Sequence, residues 1–310
     1  MAIFQAIQDA AAQGIIWGVM ALGLYITFKI LNFADLTVDG SFATGGVVSA
    51  ILITKGMDPF LSLLISLAAG MICGFITGFL HTKLEIPEIL AGILTMLALY
   101  SINVRILGQP NMALLGVSTV LTSVSSIFPA LSLKAVSALI GLIATILVIA
   151  FLYWFFGTQI GCSIRATGNN EYMVRALGVN TDKTKILALT LSNGLVALSG
   201  GMVAQTQGYA DVGMGIGTIM IGLASIIIGE VIMGKRFSFA YKLASVVFGS
   251  IIYRCIIALV LQLGLDSKDL KLLTSIIVAA ALSVSVIKKK FNSKRSNHAP
   301  TTNKGGEAVD

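Results

Sequence analysis

The chain reads as a series of long apolar runs separated by short polar stretches. A membrane crossing needs about 20 mostly apolar residues at about 1.5 Å of rise each. Runs near 11–30, 42–54, 60–82, 88–104, 135–156, 186–206, 214–233, 239–263 and 270–287 meet or approach that length. The pattern therefore predicts an all-α, polytopic membrane protein of about nine transmembrane helices. Eight to ten is the allowed range, because the second run is short and interrupted by glycine. Proline occurs only at 59, 87, 110, 129 and 300, at the ends of runs or outside them, where helices tolerate it. Residues 1–287 make one transmembrane domain, and 288–310 read as a basic, solvated tail. Two gaps exceed simple turns: 105–134, expected to hold a short surface helix, and 157–185, the longest polar stretch before the tail.

Composition sharpens this picture. Charged residues make up 11% of the chain, against about 25% in soluble domains. Apolar residues reach 56% and the mean hydropathy is +0.92, which excludes a soluble globule and a disordered chain. The net charge of +7 does not mark a nucleic-acid surface, because six of the basic residues and only two acidic ones fall in the tail. With the tail inside, the alternating runs place fifteen Lys and Arg inside and five outside. The positive-inside rule then gives a multi-pass membrane protein with a cytoplasmic C-terminus. Cys73, Cys162 and Cys255 show neither pairing nor metal spacing, and the two histidines, His81 and His298, belong to no catalytic constellation.

Several polar residues interrupt the apolar runs. Asn32, Asp35, Asp39 and Ser41 lie in one stretch followed by Gly45 and Gly46. A carboxylate at membrane depth costs several kcal/mol unless it meets water, protein or a partner. A broken helix beside a pathway explains the stretch; a turn with Asp39 capping the next helix explains it equally. Part of the pattern, Phe33-Ala34-Asp35-Leu36, returns as Tyr209-Ala210-Asp211-Val212, on the opposite side by the span count. That is the placement of an inverted repeat, with Asp211 as a second candidate pathway residue. Glu88 follows Pro87 at the start of a run and suits the first turn of a helix, with a pathway role as the alternative. Glu230 and Arg254 lie on consecutive runs and either pair across the bundle or line a pathway. Gly70, Gly74 and Gly78, with Gly194 through Gly201, give stripes of small residues for close helix packing.

The stretch from Gly161 to Asn180 carries the strongest signal. Glu171–Leu177 has the length of a two-turn helix, with Asn169 or Asn170 as N-cap and Gly178 as C-cap. Arg175 suits its C-terminal dipole. A short capped helix between two crossings is a shape that a soluble partner can grip. The run Arg165-Ala166-x-Gly168-x-Asn170, followed by Arg175-Ala176-x-Gly178-Val179-Asn180, resembles the coupling-helix region of permease subunits from ABC importers of the branched-chain amino acid and ribose group. Lys185–Gly201 and the segment from Gly215 to Glu230 are similar to the same family. Leu90–Met96, Ser101-Ile102-Asn103, Gly108–Asn111 and Asn32–Gly46 resemble a subgroup linked to tryptophan and other aromatic amino acids.

That resemblance implies an ABC-importer permease fold and a homodimer with its pathway on the symmetry axis. Two copies of an ATPase subunit would hold ATP and Mg²⁺, this chain would bind no cofactor or metal, and an extracytoplasmic binding protein would deliver an aromatic or branched-chain amino acid. Carried over residue by residue, Arg165, Ala166, Gly168, Asn170, Glu171, Arg175 and Gly178 would form the ATPase-coupling element, with Gly168 and Gly178 at its bends. Gly229-x-x-x-x-Gly234-Lys235-Arg236 imitates a phosphate-binding loop, but Arg236 stands where a Ser or Thr would hold Mg²⁺. ATP hydrolysis is therefore expected in another chain. The alternative is an ion-coupled secondary transporter, for which Asp35, Asp39 and Glu230 would be coupling carboxylates.

Overall fold

The computed structural model describes residues 2–127, 132–233 and 238–263, together with 269, 272, 274–279 and 283. The elements run α1 (Ala2–Tyr25), a π-helical turn (Ile26–Leu31), α2 (Thr37–Thr54), α3 (Pro59–Lys83), α4 (Glu88–Leu107), β1 (Asn111–Ala113), α5 (Val120–Ile127) and α6 (Leu133–Gly157). They continue through α7 (Gln159–Asn169), α8 (Glu171–Ala176), α9 (Thr181–Gln207), β2 (Tyr209–Asp211), α10 (Thr218–Met233) and α11 (Phe239–Gln262).

Among the described residues, seven helices are long and apolar enough to cross a membrane. They are α1 with its π-helical turn, α2, α3, α4, α6, α9 and α11. Two expectations are thereby revised. The second run is longer than its apolar core, because Thr37, Asp39 and Ser41 are themselves helical. The seventh is shorter, because residues 209–217 form a strand and turns before α10 begins. Sixteen residues at about 1.5 Å span about 24 Å, less than the hydrocarbon core of about 30 Å. The expected crossing at 270–287 falls largely outside the described residues.

α1, α2 and α9 form the buried centre, and α3, α4, α6 and α11 surround them with apolar faces turned outward, such as Leu64, Ile72, Leu147 and Trp154. The glycine stripes make the close packing possible. A Cβ on Gly70 would strike the Asn193 carbonyl and Ala197, and one on Gly74 the Leu189 carbonyl, so α3 lies with its backbone against α9. Gly45 of α2 and Gly200 of α9 bring those two helices equally close, against the Ala197 and Phe42 carbonyls. Hydroxyls and amides then tie the centre together. Ser192 Oγ donates to the Gly23 carbonyl (2.7 Å), and Ser199 Oγ donates to the Ile16 carbonyl (2.9 Å). Gln205 Nε2 donates to Ser49 Oγ (2.9 Å) and Ser62 Oγ (3.0 Å), while its Oε1 accepts from the Val120 N–H (2.9 Å).

The segment between β2 and α10 turns back into the bundle beside α2. Val212 packs with Val47 and Leu107, and Gly215 lies against the Asp39 carbonyl. β2 pairs antiparallel with β1, Asn111 opposite Asp211, a two-stranded sheet that three-residue strands do not announce in sequence. The 105–134 gap does contain the expected short helix, α5.

Candidate functional site

α7 and α8 stand on the face where α3 and α6 end and α9 begins. The Thr158 hydroxyl caps α7 by accepting from the Gly161 N–H (3.3 Å). Asn170 breaks the chain between α7 and α8 at φ −156°, ψ 97°, and its Oδ1 accepts from the Met173 N–H (3.0 Å) as the N-cap of α8. At the other end, the Gly178 N–H reaches the Arg175 carbonyl (3.0 Å) and the Val179 N–H the Val174 carbonyl (3.3 Å). This is a Schellman stop, and it needs the left-handed φ of +82° that glycine adopts freely. The expected two-turn helix is thus present, as Glu171–Ala176. Gly168 is not at a bend: it lies within α7, where a Cβ would strike the Ile30 carbonyl, so it lets α7 press on the π-helical turn.

Charges hold α8 in place from behind. Lys185 Nζ lies 2.8 Å from Glu171 Oε2, and Arg175 Nη2 lies 3.1 Å from Glu171 Oε1 and 3.0 Å from Thr181 Oγ1. Asp182 adds pairs to Arg175 and Lys83, both at 3.7 Å. The His81 ring meets the Ile86 carbonyl through Nδ1 (2.9 Å) and Lys185 through Nε2 (3.4 Å), which fits a proton on Nδ1. His81, Glu171, Arg175, Asp182 and Lys185 line a cleft of about 530 Å³ between the end of α3 and the start of α9. Burial works to raise the Glu171 carboxyl, but Lys185, Thr181 and Arg175 outweigh it and hold its pKa below the usual value of 4.5. A depressed carboxylate contributes stability above its unfolded pKa and loses it as pH falls through the folded one. Glu171→Gln should therefore lower the melting temperature by a constant amount above about pH 5, and the difference should vanish as the pH drops well below about 4. Paired thermal melts across that range are the check.

With Glu171 and Arg175 paired within their own chain, the exposed surface of α8 combines large apolar side chains with the partly exposed Arg175. Tyr172 is 86% exposed and Leu177 74%, with Met173 beside them. Sequence reading chose the charged residues and missed these three. Arg165 stacks its guanidinium 5.3 Å from the Phe239 ring centroid. It lines a second cleft of about 550 Å³ with Ala166, Gly168, Lys29 and Lys242.

Some of the intramembrane polar residues gather where α2 starts, and others do not. Asn32 (φ 57°) ends the π-helical turn. Asp35 is fully buried; its Oδ1 accepts from the Thr37 N–H (2.9 Å) and its Oδ2 from Asn193 Nδ2 (2.7 Å). Ser41 Oγ donates to Asn193 Oδ1 (2.7 Å). Asn193, which sequence reading did not single out, joins both because it faces the start of α2 from the middle of α9. Asp39 sits in the first turn of α2 but caps α10 instead. It accepts from the Gly217 N–H (2.9 Å), Thr218 Oγ1 (2.8 Å) and the Ile219 N–H (3.0 Å). Glu88 stands in the first turn of α4, as expected, and its Oε2 accepts from the Ala34 N–H (3.4 Å). Asp211 accepts from the Gly213 N–H (2.5 Å) in the turn after β2, away from Asp35. Glu230 and Arg254 do not pair. Glu230 takes Lys29 (2.9 Å), while Arg254 lies 3.9 Å from the Trp17 ring centroid and reaches Gln13 (3.5 Å). Residues 234–236 of the phosphate-loop imitation fall outside the described residues, and no metal-binding cluster occurs among the described ones.

Tightly packed apolar helices, irregular segments turned into the bundle and a short helix capped at both ends on one face define a multi-pass membrane protein. Residues 6–286 match the family described as branched-chain amino acid transport system, permease component, and the chain belongs to that family. It is 39% identical over 286 residues to the tyrosine transport system permease protein of Clostridioides difficile strain R20291, covering 91% of this chain and 93% of that one. It is 31% identical over 179 residues to the autoinducer 2 import system permease protein LsrC of Yersinia pseudotuberculosis, covering 58% of this chain and 49% of LsrC. Among solved structures, PsaBC from Streptococcus pneumoniae in complex with Fab aligns at 17% identity over 90% of this chain and 89% of that one, with a TM-score of 0.49. By its family and the tyrosine-transport relative, the chain is an ABC transporter permease subunit.

Proposed function

We propose that the chain is the permease of an ATP-driven importer for an amino acid, aromatic or branched-chain, working as a homodimer with two ATPase subunits. An extracytoplasmic binding protein delivers the solute to the face carrying β1, β2 and α5, and the C-terminus and α8 are cytoplasmic. The two re-entrant stretches, around Asp35 and Asp211, are halves of an inverted repeat in this reading. The observation that carries the proposal is α8 itself: capped at both ends, anchored from behind by Glu171, Arg175 and Lys185, and apolar outward at Tyr172 and Leu177. A rigid helix with such a surface transmits a push from a soluble subunit into α7, α9 and the helices behind them. The amino-acid substrate rests on the tyrosine-transport relative. Affinity purification of the tagged chain from its native membranes, with mass spectrometry, tests the assembly. A co-purifying ATPase with a phosphate-binding loop and a solute-binding protein is the expected result; the chain emerging alone overturns it.

A further inference from the structure

Beside the Asp39 cap lies a cavity of about 310 Å³ whose wall is almost entirely apolar. Its lining includes Met96, Tyr100 and Asn103 of α4 and, across from them, Asp39, Val212 and Ile216. That volume sits at the lower end of the range for small-molecule sites, about 300–1,000 Å³. Among the polar residues of this wall, Asn103 stands apart. It is 1% exposed, and neither its Nδ2 nor its Oδ1 has a hydrogen-bond partner in the protein. Buried side-chain amides nearly always have partners, because burial without one is costly. An orphaned carboxamide that borders a cavity offers a hydrogen-bond partner to a ligand that enters it. Asp39 cannot serve as that partner, since both its oxygens are already taken by the start of α10.

We infer that Asn103 and the cavity beside it form a contact site for the transported solute, which is a small zwitterion with an apolar or aromatic side chain. The inference rests on the permease reading above and adds to it the residue and the cavity that meet the solute. A carboxamide donates through its N–H groups to a carboxylate and accepts through its carbonyl from an ammonium, so one neutral residue serves either end of an α-amino acid. No Lys or Arg lines the cavity and a carboxylate borders it, which disfavours a net anion. Met96, Tyr100, Val212 and Ile216 offer the side chain an apolar and aromatic surface. The cavity lies between α4 and the re-entrant segment leading into α10, so a change in the tilt of either helix alters its width.

Uptake of tritiated L-tyrosine and L-leucine by cells expressing the whole transporter tests this, with wild type, Asn103→Leu and Ile216→Trp compared. Co-purification of the ATPase and thermal melts of the purified complexes accompany the uptake. Asn103→Leu should retain the ATPase and melt no lower than wild type, because it removes an unpaired polar group without changing shape. Its Vmax/KM should nevertheless fall about tenfold or more through the lost hydrogen bonds to charged solute groups. Ile216→Trp, at an exposed position where extra bulk is accommodated, should fill the cavity and give a comparable loss. Unchanged uptake in Asn103→Leu overturns the inference while a retained ATPase leaves the permease reading intact. If Asn103→Leu instead melts lower, Ile216→Trp decides, and wild-type uptake in it overturns the site. A wild-type transporter that holds its ATPase yet takes up neither amino acid overturns the ligand class. A wild-type chain that holds no ATPase overturns the ATP-driven assembly proposed above and this inference with it.

Discussion

Leu177→Asp should leave the chain folded in the membrane and yet abolish most ATP-driven transport. Leu177 is 74% exposed at the end of α8, and no charge of the anchoring network depends on it, so the folded state loses little. A carboxylate placed in a desolvated docking groove is another matter. The few hot-spot residues that cluster near the centre of such a contact each cost about 2 kcal/mol or more when lost, roughly thirtyfold in affinity. Tyr172→Ala should act in the same direction, and the pair together should release the ATPase on purification. Arg175→Glu would be a poorer probe, because it would set a third carboxylate beside Glu171 and Asp182 and unseat α8 itself. Retention of the ATPase on the tagged chain, quantified against wild type with melting temperature as the folding control, is the measurement. An unchanged complex in Leu177→Asp would remove α8 from the interface.

The second large effect is on folding. Gly70→Val should prevent the bundle from closing, because its Cβ would meet the Asn193 carbonyl and Ala197 Cβ, and a backbone carbonyl has no rotamer to escape into. Overpacking costs about 1–3 kcal/mol where side chains can shift, and more where they cannot. Displacing α9 also pulls Asn193 from Asp35 and Ser41, leaving a buried carboxylate short of its donor. Against a total stability of about 5–15 kcal/mol, the expected outcome is loss of the chain from the membrane fraction. Gly157→Ala is the control: nothing lies within 4 Å of a Cβ there, and its level should match wild type. Equal membrane levels for Gly70→Val and Gly157→Ala would contradict the packing account.

The helices that cross were legible because their signal is additive: some twenty apolar residues outweigh any local preference. The capped α8 was legible for the opposite reason, since Asn170 and Gly178 mark its two ends with specific backbone demands. Side-chain partners across the bundle were not legible. Asp39 looked like a cap for its own helix and caps α10 instead, because the re-entrant segment brings Gly217 to it from 178 residues away. Glu230 and Arg254 lie on consecutive helices, but Lys29 and Trp17 of α1 with its π-helical turn reach them first. The charged residues of α8 drew attention by type, while its outward apolar residues became visible only once Glu171 and Arg175 were seen to pair within the chain. Asn103 belonged to a recognisable stretch, yet only the fold shows it to be buried and without a partner.

The most direct measurement of the central claim is site-specific photocrosslinking in native membranes, with benzoylphenylalanine in place of Tyr172 and, as reference, in place of Leu64 on the outward face of α3. The account predicts a crosslink from position 172 to an ATPase bearing a phosphate-binding loop, with a yield that changes when ATP is added, and none to that protein from position 64. A probe at 172 that reaches no ATPase, or reaches it no more than the probe at 64 does, would contradict it.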